Sequence, residues 1–389
     1  MNEYAHIIYQ KTARILTVGC GLLFAIFSFV YLYVFQRDSL EALHYSLAQG
    51  RTHFAPMASA LVITLILILL RWGINSLLGL KGKVRTLSYL PSFFILWALT
   101  DISHDVYLSS SVSPWHWLLP LLILLFVLPA FWLRKTFRAE LNVEGSLIGL
   151  VNSNVGILFL LCLLTVFIGN TNRSFHHELS AEHALLTRNY NQAVKVGYRS
   201  LEATRTLTAL RALALSHTGQ MGDKLFEYPQ YYHSEGLFFD DDSLSVLRYT
   251  NDSVYQHLGS RPYNGEDHLS FLRRICYKES GKFTALDYYL SALLLEKDVN
   301  EFAATLKDLY EPADTLPRYY KEALAIYADR YQTDDLAGKV DSLLITRYQD
   351  YKEKKKQFTS PTEERNRMRR EYGDTYWWYF DYQHLILSD

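Results

Sequence analysis

Residues 15–35 read ILTVGCGLLFAIFSFVYLYVF, and this stretch decides the fold. It holds no charge, and about 20 apolar residues in a helix match the hydrocarbon thickness of a bilayer, where lipid offers the backbone no hydrogen bonds. A signal peptide has a shorter apolar region and a small-residue cleavage site. Neither is present, so 15–35 is read as an uncleaved span. Working outward, a second span over 55–78 starts at Pro56 and runs through LVITLILILL to Arg71, whose side chain can snorkel to the headgroups. A third, over 84–104, is short, carries Pro91 and ends in the polar run Asp101-Ile-Ser-His104-Asp105. The fourth, 115–133, has Trp115 and Trp117 at one end and Trp132 at the other, as an aromatic belt requires. The fifth, 146–169, is interrupted only by Asn152, Ser153 and Asn154.

Beyond 169 the composition changes. The mean hydropathy of -0.03 averages an apolar N-terminal part and a charged, Tyr-rich remainder. Across 389 residues this predicts two domains, a bundle over 1–169 and a soluble domain over 170–389. A formal charge of -1 gives no electrostatic case for nucleic acid. Three cysteines, Cys20, Cys162 and Cys276, cannot form a disulfide framework and read as packed thiols.

Lysine and arginine positions predict orientation. Lys11 and Arg14 precede span one, Lys81, Lys83 and Arg85 follow span two, and Arg134, Lys135 and Arg138 follow span four. The alternate loops are poorer in both residues. The N-terminus is therefore expected in the cytoplasm of a multi-pass inner (plasma) membrane protein, with the C-terminal domain periplasmic or otherwise extracytoplasmic. If span three does not cross, that domain is cytoplasmic instead.

The C-terminal part reads as helical hairpins, making the whole chain all-α, with an α-solenoid-like stack after the bundle. Ser180 is an N-cap signal, and Asn189-Tyr190-Asn-Gln-Ala193 resembles the middle of a tetratricopeptide repeat. Residues 267–277 and 283–297 form a predicted pair, with 285–295 apolar enough to be a central helix. Pro317 is placed just inside a helix, Thr333 opens another, and Ser360-Pro361-Thr362-Glu363 is a helix start. Residues 229–262 read as a long connection, with a short helix near 243–249.

The segments TLTALRALALSHTGQMGDKLFEYPQ (206–230) and LPRYYKEALAIY (316–327), behind such an anchor, resemble an uncharacterised family of multi-spanning inner-membrane proteins of Bacteroidetes-type bacteria. The resemblance implies a cell-envelope location and a periplasmic helical-repeat, tetratricopeptide-like tail. It brings no catalytic residue and no activity.

Five places merit weighing. Asp38, with Glu41 and His44, and then Asp101, His104 and Asp105 fall on the same predicted membrane face. Asp101 and Asp105 stand at i, i+4, and carboxylates with a histidine at a membrane surface suit binding of a divalent metal or acid–base work on a lipid-linked substrate. They also suit solvated loop ends. His176 and His183 bracket His177-Glu178, but the zinc-protease pattern needs a histidine at 181, where alanine stands. These two histidines are candidates for a structural metal or members of a polar helix. Asn152-Ser153-Asn154 suits helix–helix hydrogen bonding or a substrate contact. The aromatic run Tyr372–Tyr382, with Tyr376, Trp377, Trp378, Tyr379 and Phe380 at its centre, suits either an internal cap or a partner-binding patch. The basic run at 352–356 and the arginines of 365–370 are balanced by glutamates and read as a solvated helix.

No phosphate-cradling glycine loop, G-x-S-x-G, C-x-x-C or Rossmann fingerprint is present. No cofactor is expected. The reading is a membrane-anchored interaction or assembly protein, with membrane lipid around its spans and a protein partner on its C-terminal domain. The alternative is an envelope enzyme acting on a lipid-linked substrate at the outer face of the bundle, through the Asp101 cluster.

Overall fold

The computed structural model describes residues 3–48, 50–103, 113–136, 147–198, 200, 202–240, 248–310, 315–332 and 341–383. All regular structure among them is helical. The chain divides into two units, Met1–His176 and His177–Asp389.

In the N-terminal unit, α1 (Glu3–Val30) continues through a π-turn at Tyr31–Phe35 into α2 (Arg37–Ala48). Then come α3 (Pro56–Leu78), a 3₁₀ segment (Gly82–Tyr89), α4 (Leu90–Thr100), α5 (Trp115–Thr136) and α6 (Leu147–Ile168). Four helical stretches, Ile7–Phe35, Pro56–Leu78, Trp115–Trp132 and Leu147–Ile168, are long and apolar enough to cross a membrane. Their outer faces stay apolar: Val18, Leu22, Leu65, Leu69, Leu124, Leu128, Phe159 and Phe167 are all more than half exposed. Apolar belts on this scale are compatible with a membrane protein.

The stretch expected as span three differs from the other four. Its helix α4 has 11 residues, about 16 Å, roughly half a bilayer core. The preceding 3₁₀ segment supplies eight more at about 2 Å each, so the passage from Gly82 to Thr100 has a contour length of about 32 Å. Its position also differs. Phe93, Leu96 and Thr100 of α4 are fully buried, and Phe24 of α1 packs 4.8 Å from Tyr89 and 5.2 Å from Phe93 between ring centres. Trp97 Nε1 donates to Thr165 Oγ1 at 2.8 Å, and Ser92 Oγ donates to the Leu67 carbonyl at 2.8 Å. The expected span with the shortest helix is thus the hub of the bundle. Arg71 differs too: α3 runs on for two turns past it, and its guanidinium turns inward over the Tyr89 ring at 4.6 Å.

Residues from His177 onward form the second unit, beginning within α7 (Arg173–Leu186). Helices α8 (Tyr190–Lys195), α9 (Arg205–His217), α10 (Met221–Lys224), α11 (Asn251–Leu258) and α12 (His268–Tyr277) follow. The chain then forms α13 (Thr284–Leu295), α14 (Val299–Leu309), α15 (Arg318–Tyr331), α16 (Ser342–Lys355), α17 (Pro361–Tyr372) and α18 (Tyr376–Tyr382). Helix α13 is central: every residue from Tyr288 to Leu295 is buried, as the unbroken apolar run 285–295 anticipates. Pro317 is the residue just before α15, leaving Asp223 Oδ1 to accept from Arg318 N. Ser360 and Pro361 open α17 as read, although the serine side chain makes no capping bond. The expected helix opening at Thr333 lies outside the described residues, as does most of the one near 243–249. The connection 229–262 holds α11 and the buried pair Phe238 and Phe239.

Candidate functional site

The aromatic run sits inside the second unit. Tyr376, Trp377, Trp378 and Tyr379 are each at most 5% exposed, and Phe380 is half-buried. Their polar atoms explain why. The last carbonyls of a helix lack intrahelical partners, and α13 ends at Leu295. Tyr376 Oη donates to the Leu294 carbonyl at 3.0 Å and Tyr379 Oη to the Leu295 carbonyl at 2.7 Å. Trp377 Nε1 donates to the Glu322 carbonyl at 2.9 Å, and the buried Glu322 carboxylate accepts from Tyr376 N at 2.7 Å. Arg318 Nε also donates to that carboxylate, at 2.8 Å. The run therefore caps and locks α13 and α15, with Tyr376 and Trp377 at most 1% exposed.

One wall of α18 does reach the surface. Trp378 and Tyr379, with Arg369 of α17, face Tyr198, Phe226, Glu227 and Tyr228 across a groove of about 170 Å³. Arg369 lies 5.4 Å from the Trp378 ring, and Tyr198 meets Tyr228 edge-on at 5.7 Å. Tyr198 is 54% exposed, so the groove opens on an aromatic lip. Burial raises the Glu227 carboxyl above its ordinary value, against the pull of Lys224 and Arg318. Burial also pushes the Tyr228 phenol up to about 12. The Trp378 indole N–H is buried with no acceptor. A groove with aromatic walls, one cation and one carboxyl can take an apolar segment together with polar groups at its ends.

The other predicted residues fall elsewhere. Asp101 is exposed at the end of α4, where its Oδ2 accepts from Trp115 Nε1 at 2.9 Å. Asp38 is half-buried in α2, while His104 and Asp105 lie outside the described residues. His176 Nε2 donates to the Asn170 carbonyl at 2.9 Å. His183 stands seven residues on, about 10 Å of helical rise along the same helix. Among the described residues no group of three histidines, cysteines or acids is placed to hold a metal. The acids of that helix are structural: Glu178 accepts from Thr204 Oγ1 and Glu182 from Arg248 N, tying down the chain before α9 and α11.

Asn154 is 3% exposed and fully used. Its Oδ1 accepts from Thr86 N at 3.1 Å and from Thr86 Oγ1, and its Nδ2 donates to the carbonyls of Gly82 at 3.1 Å and Leu150 at 2.9 Å. Asn152 faces outward. Asn154 thus serves packing between α6 and the 3₁₀ segment. Sequence reasoning missed the groove, whose walls come from three separated stretches; the exposed Tyr198 beside the Tyr228-Pro229 turn is its one local signal.

A protein-family model described as a family of unknown function, DUF6057, matches residues 104–263 and 250–383. No curated protein matches the chain. No solved structure matches it.

Proposed function

The chain belongs to that family of unknown function, and from its geometry we propose that it is a membrane-anchored docking protein. Its apolar helices hold it in a bilayer, and its C-terminal unit engages a segment of a protein partner. The observation that carries the docking reading is the aromatic groove between residues 198–230 and α17–α18. It combines rigid rings, which lose little entropy on binding, with charged groups at its edge. The membrane reading draws on the four long apolar helices and their exposed apolar faces.

In this reading the passage Gly82–Thr100 is a fifth crossing, made from a 3₁₀ segment and a short helix. With Lys81, Lys83 and Arg85 on the cytoplasmic face, five crossings put the C-terminal unit on the extracytoplasmic side of a bacterial inner membrane. Its stacked helical hairpins act there in the manner of a helical-repeat scaffold.

The test is photo-crosslinking in intact membranes. A photoreactive residue replaces Tyr198 or Ser200 at the groove in the full-length protein, and Phe283, which is 83% exposed, serves as the off-groove control. A discrete adduct from the groove positions alone, lost on Arg369→Glu, supports the reading. Equal labelling from Phe283, or no adduct from the groove, overturns it. A C-terminal reporter active only outside the cytoplasm tests the orientation.

A further inference from the structure

The N-terminal unit holds a second arrangement that docking leaves unexplained. Helices α1, α3 and α6 and the 3₁₀ segment enclose a small recess lined by Cys20, Arg71, Arg85, Thr86, Tyr89 and Asn154. Each of its unpartnered polar groups can donate, and the two guanidiniums can only donate. The Nε atoms of Arg71 and Arg85 are buried without an acceptor, and so is the hydroxyl of Tyr89, a residue only 1% exposed. The amide oxygen nearest them is already engaged: Asn154 Oδ1 accepts from both Thr86 N and Thr86 Oγ1.

Charge is equally one-sided. No carboxylate lines the recess among the described residues. Between Tyr4 and Thr100 the sequence holds only two acids, Asp38 and Glu41. Asp38 follows Cys20 by 18 residues of nearly continuous helix, about 27 Å of rise. Two guanidiniums at the edge of an apolar bundle, with no carboxylate beside them among the described residues, leave a site to be completed by an external anion.

We propose that this recess is a binding site for a phosphate group. Arginine's planar fork matches phosphate oxygens in pairs, and the Tyr89 hydroxyl supplies a third direction of donation. The closed recess has about 20 Å³, space for roughly one water molecule. The anion is therefore received at its mouth, with Arg71 lifting from the Tyr89 ring to meet it. Basic recesses between membrane helices take phospholipid headgroups in this way. The anion chemistry stands on the recess alone; the lipid as its source rests on the membrane reading above.

The experiment uses full-length protein purified in uncharged detergent. In one arm inorganic phosphate is titrated at constant ionic strength while thermal unfolding is followed. In the other, the protein is reconstituted in phosphatidylcholine nanodiscs with and without phosphatidylglycerol, and retained lipid is counted by native mass spectrometry. Stabilisation by phosphate, or selective retention of phosphatidylglycerol, is expected to fall at least ~10-fold in R71Q/R85Q, since each charge-assisted bond contributes on that scale. R71K/R85K, which keeps the charge and loses the fork, falls several-fold, and Y89F a few-fold. Retention of lipid without a phosphate effect assigns the site to a headgroup; a phosphate effect without lipid selectivity assigns it to a soluble phosphate. Wild-type behaviour in R71Q/R85Q, or no preference for either anion in the wild type, overturns the proposal. If R71Q/R85Q fails to elute as a folded species, the other two variants decide, and wild-type binding in both overturns it.

Discussion

His217 and His257 make the acid sensitivity of the C-terminal unit predictable. Their ring centres are 4.1 Å apart, Tyr190 stacks on His217 at 4.4 Å, and Ser216 Oγ lies 2.8 Å from His257 Nε2. Burial, then His217 and Lys282, lower His257 from 6.5 to about 4, and burial lowers His217 as well. A folded-state value below the unfolded one means that the unfolded chain takes up the proton first. The stability from this group is fully present above pH 6.5 and is lost as pH falls from there toward 4. From about pH 7.5 to about pH 5, one group with these two values costs about 2 kcal/mol. The His257 ring is only part-buried, and solvent screening reduces that to about 1 kcal/mol, near a fivefold change in opening equilibrium. Hydrogen exchange of peptides covering α9 and α11, corrected for intrinsic rates, reads it locally in the full-length protein. His257→Gln should remove most of the fivefold loss of protection. The same acid response in wild type and variant would refute the reasoning.

Three further outcomes follow from the packing. Asn154→Leu should lower the thermal stability of the detergent-solubilised protein by about 1–2 kcal/mol, the upper range for interhelical hydrogen bonds in a bundle. Asn152→Leu, on the exposed face, should stay within about 0.5 kcal/mol. Glu322→Ala leaves the buried Tyr376 amide without its acceptor and Arg318 with Asp374 as its remaining carboxylate, at about 1–3 kcal/mol; denaturant unfolding followed by exchange in α15 and α18 measures it, and Glu322→Gln should cost less because it keeps an acceptor. Gly222→Ala brings a Cβ to 2.7 Å from Pro317 Cβ and 3.0 Å from Tyr320 Cζ, so overpacking should cost about 1–3 kcal/mol in the same assay.

What the sequence made legible was whatever depends on local apolar length. Residues 15–35, 56–78, 115–133 and 147–168 are long enough apolar runs that a helix is the way for one segment to satisfy its own backbone, and 285–295 becomes a central helix because its residues are apolar nearly all round. The passage 82–100 escapes that logic. Asn154, 68 residues beyond Thr86, takes the Thr86 amide, and its own amide group holds the Gly82 carbonyl. The 3₁₀ geometry is thus held by a tertiary bond that no local window contains. The aromatic run was legible as a cap or a patch and no further. Its burial depends on carbonyls at Leu294 and Leu295, more than eighty residues earlier, which only the assembled unit brings to the tyrosine hydroxyls.

The arginine recess shows why site chemistry is harder to read than helices. Taken singly, Arg71 reads as a snorkelling residue and Arg85 as one of three loop charges. They meet because the chain reverses between them through Gly79 and Gly82, at φ +61 and +63, a left-handed conformation that costs glycine nothing and other residues about 1 kcal/mol or more. A side chain at either position strains the turn that carries Arg85 back against α3. Gly79→Val or Gly82→Val should therefore weaken anion binding while leaving both arginines in the chain, and phosphate titration against the wild type reads it. Undiminished binding in a folded Gly82→Val protein would mean that the two guanidiniums do not need this turn to converge.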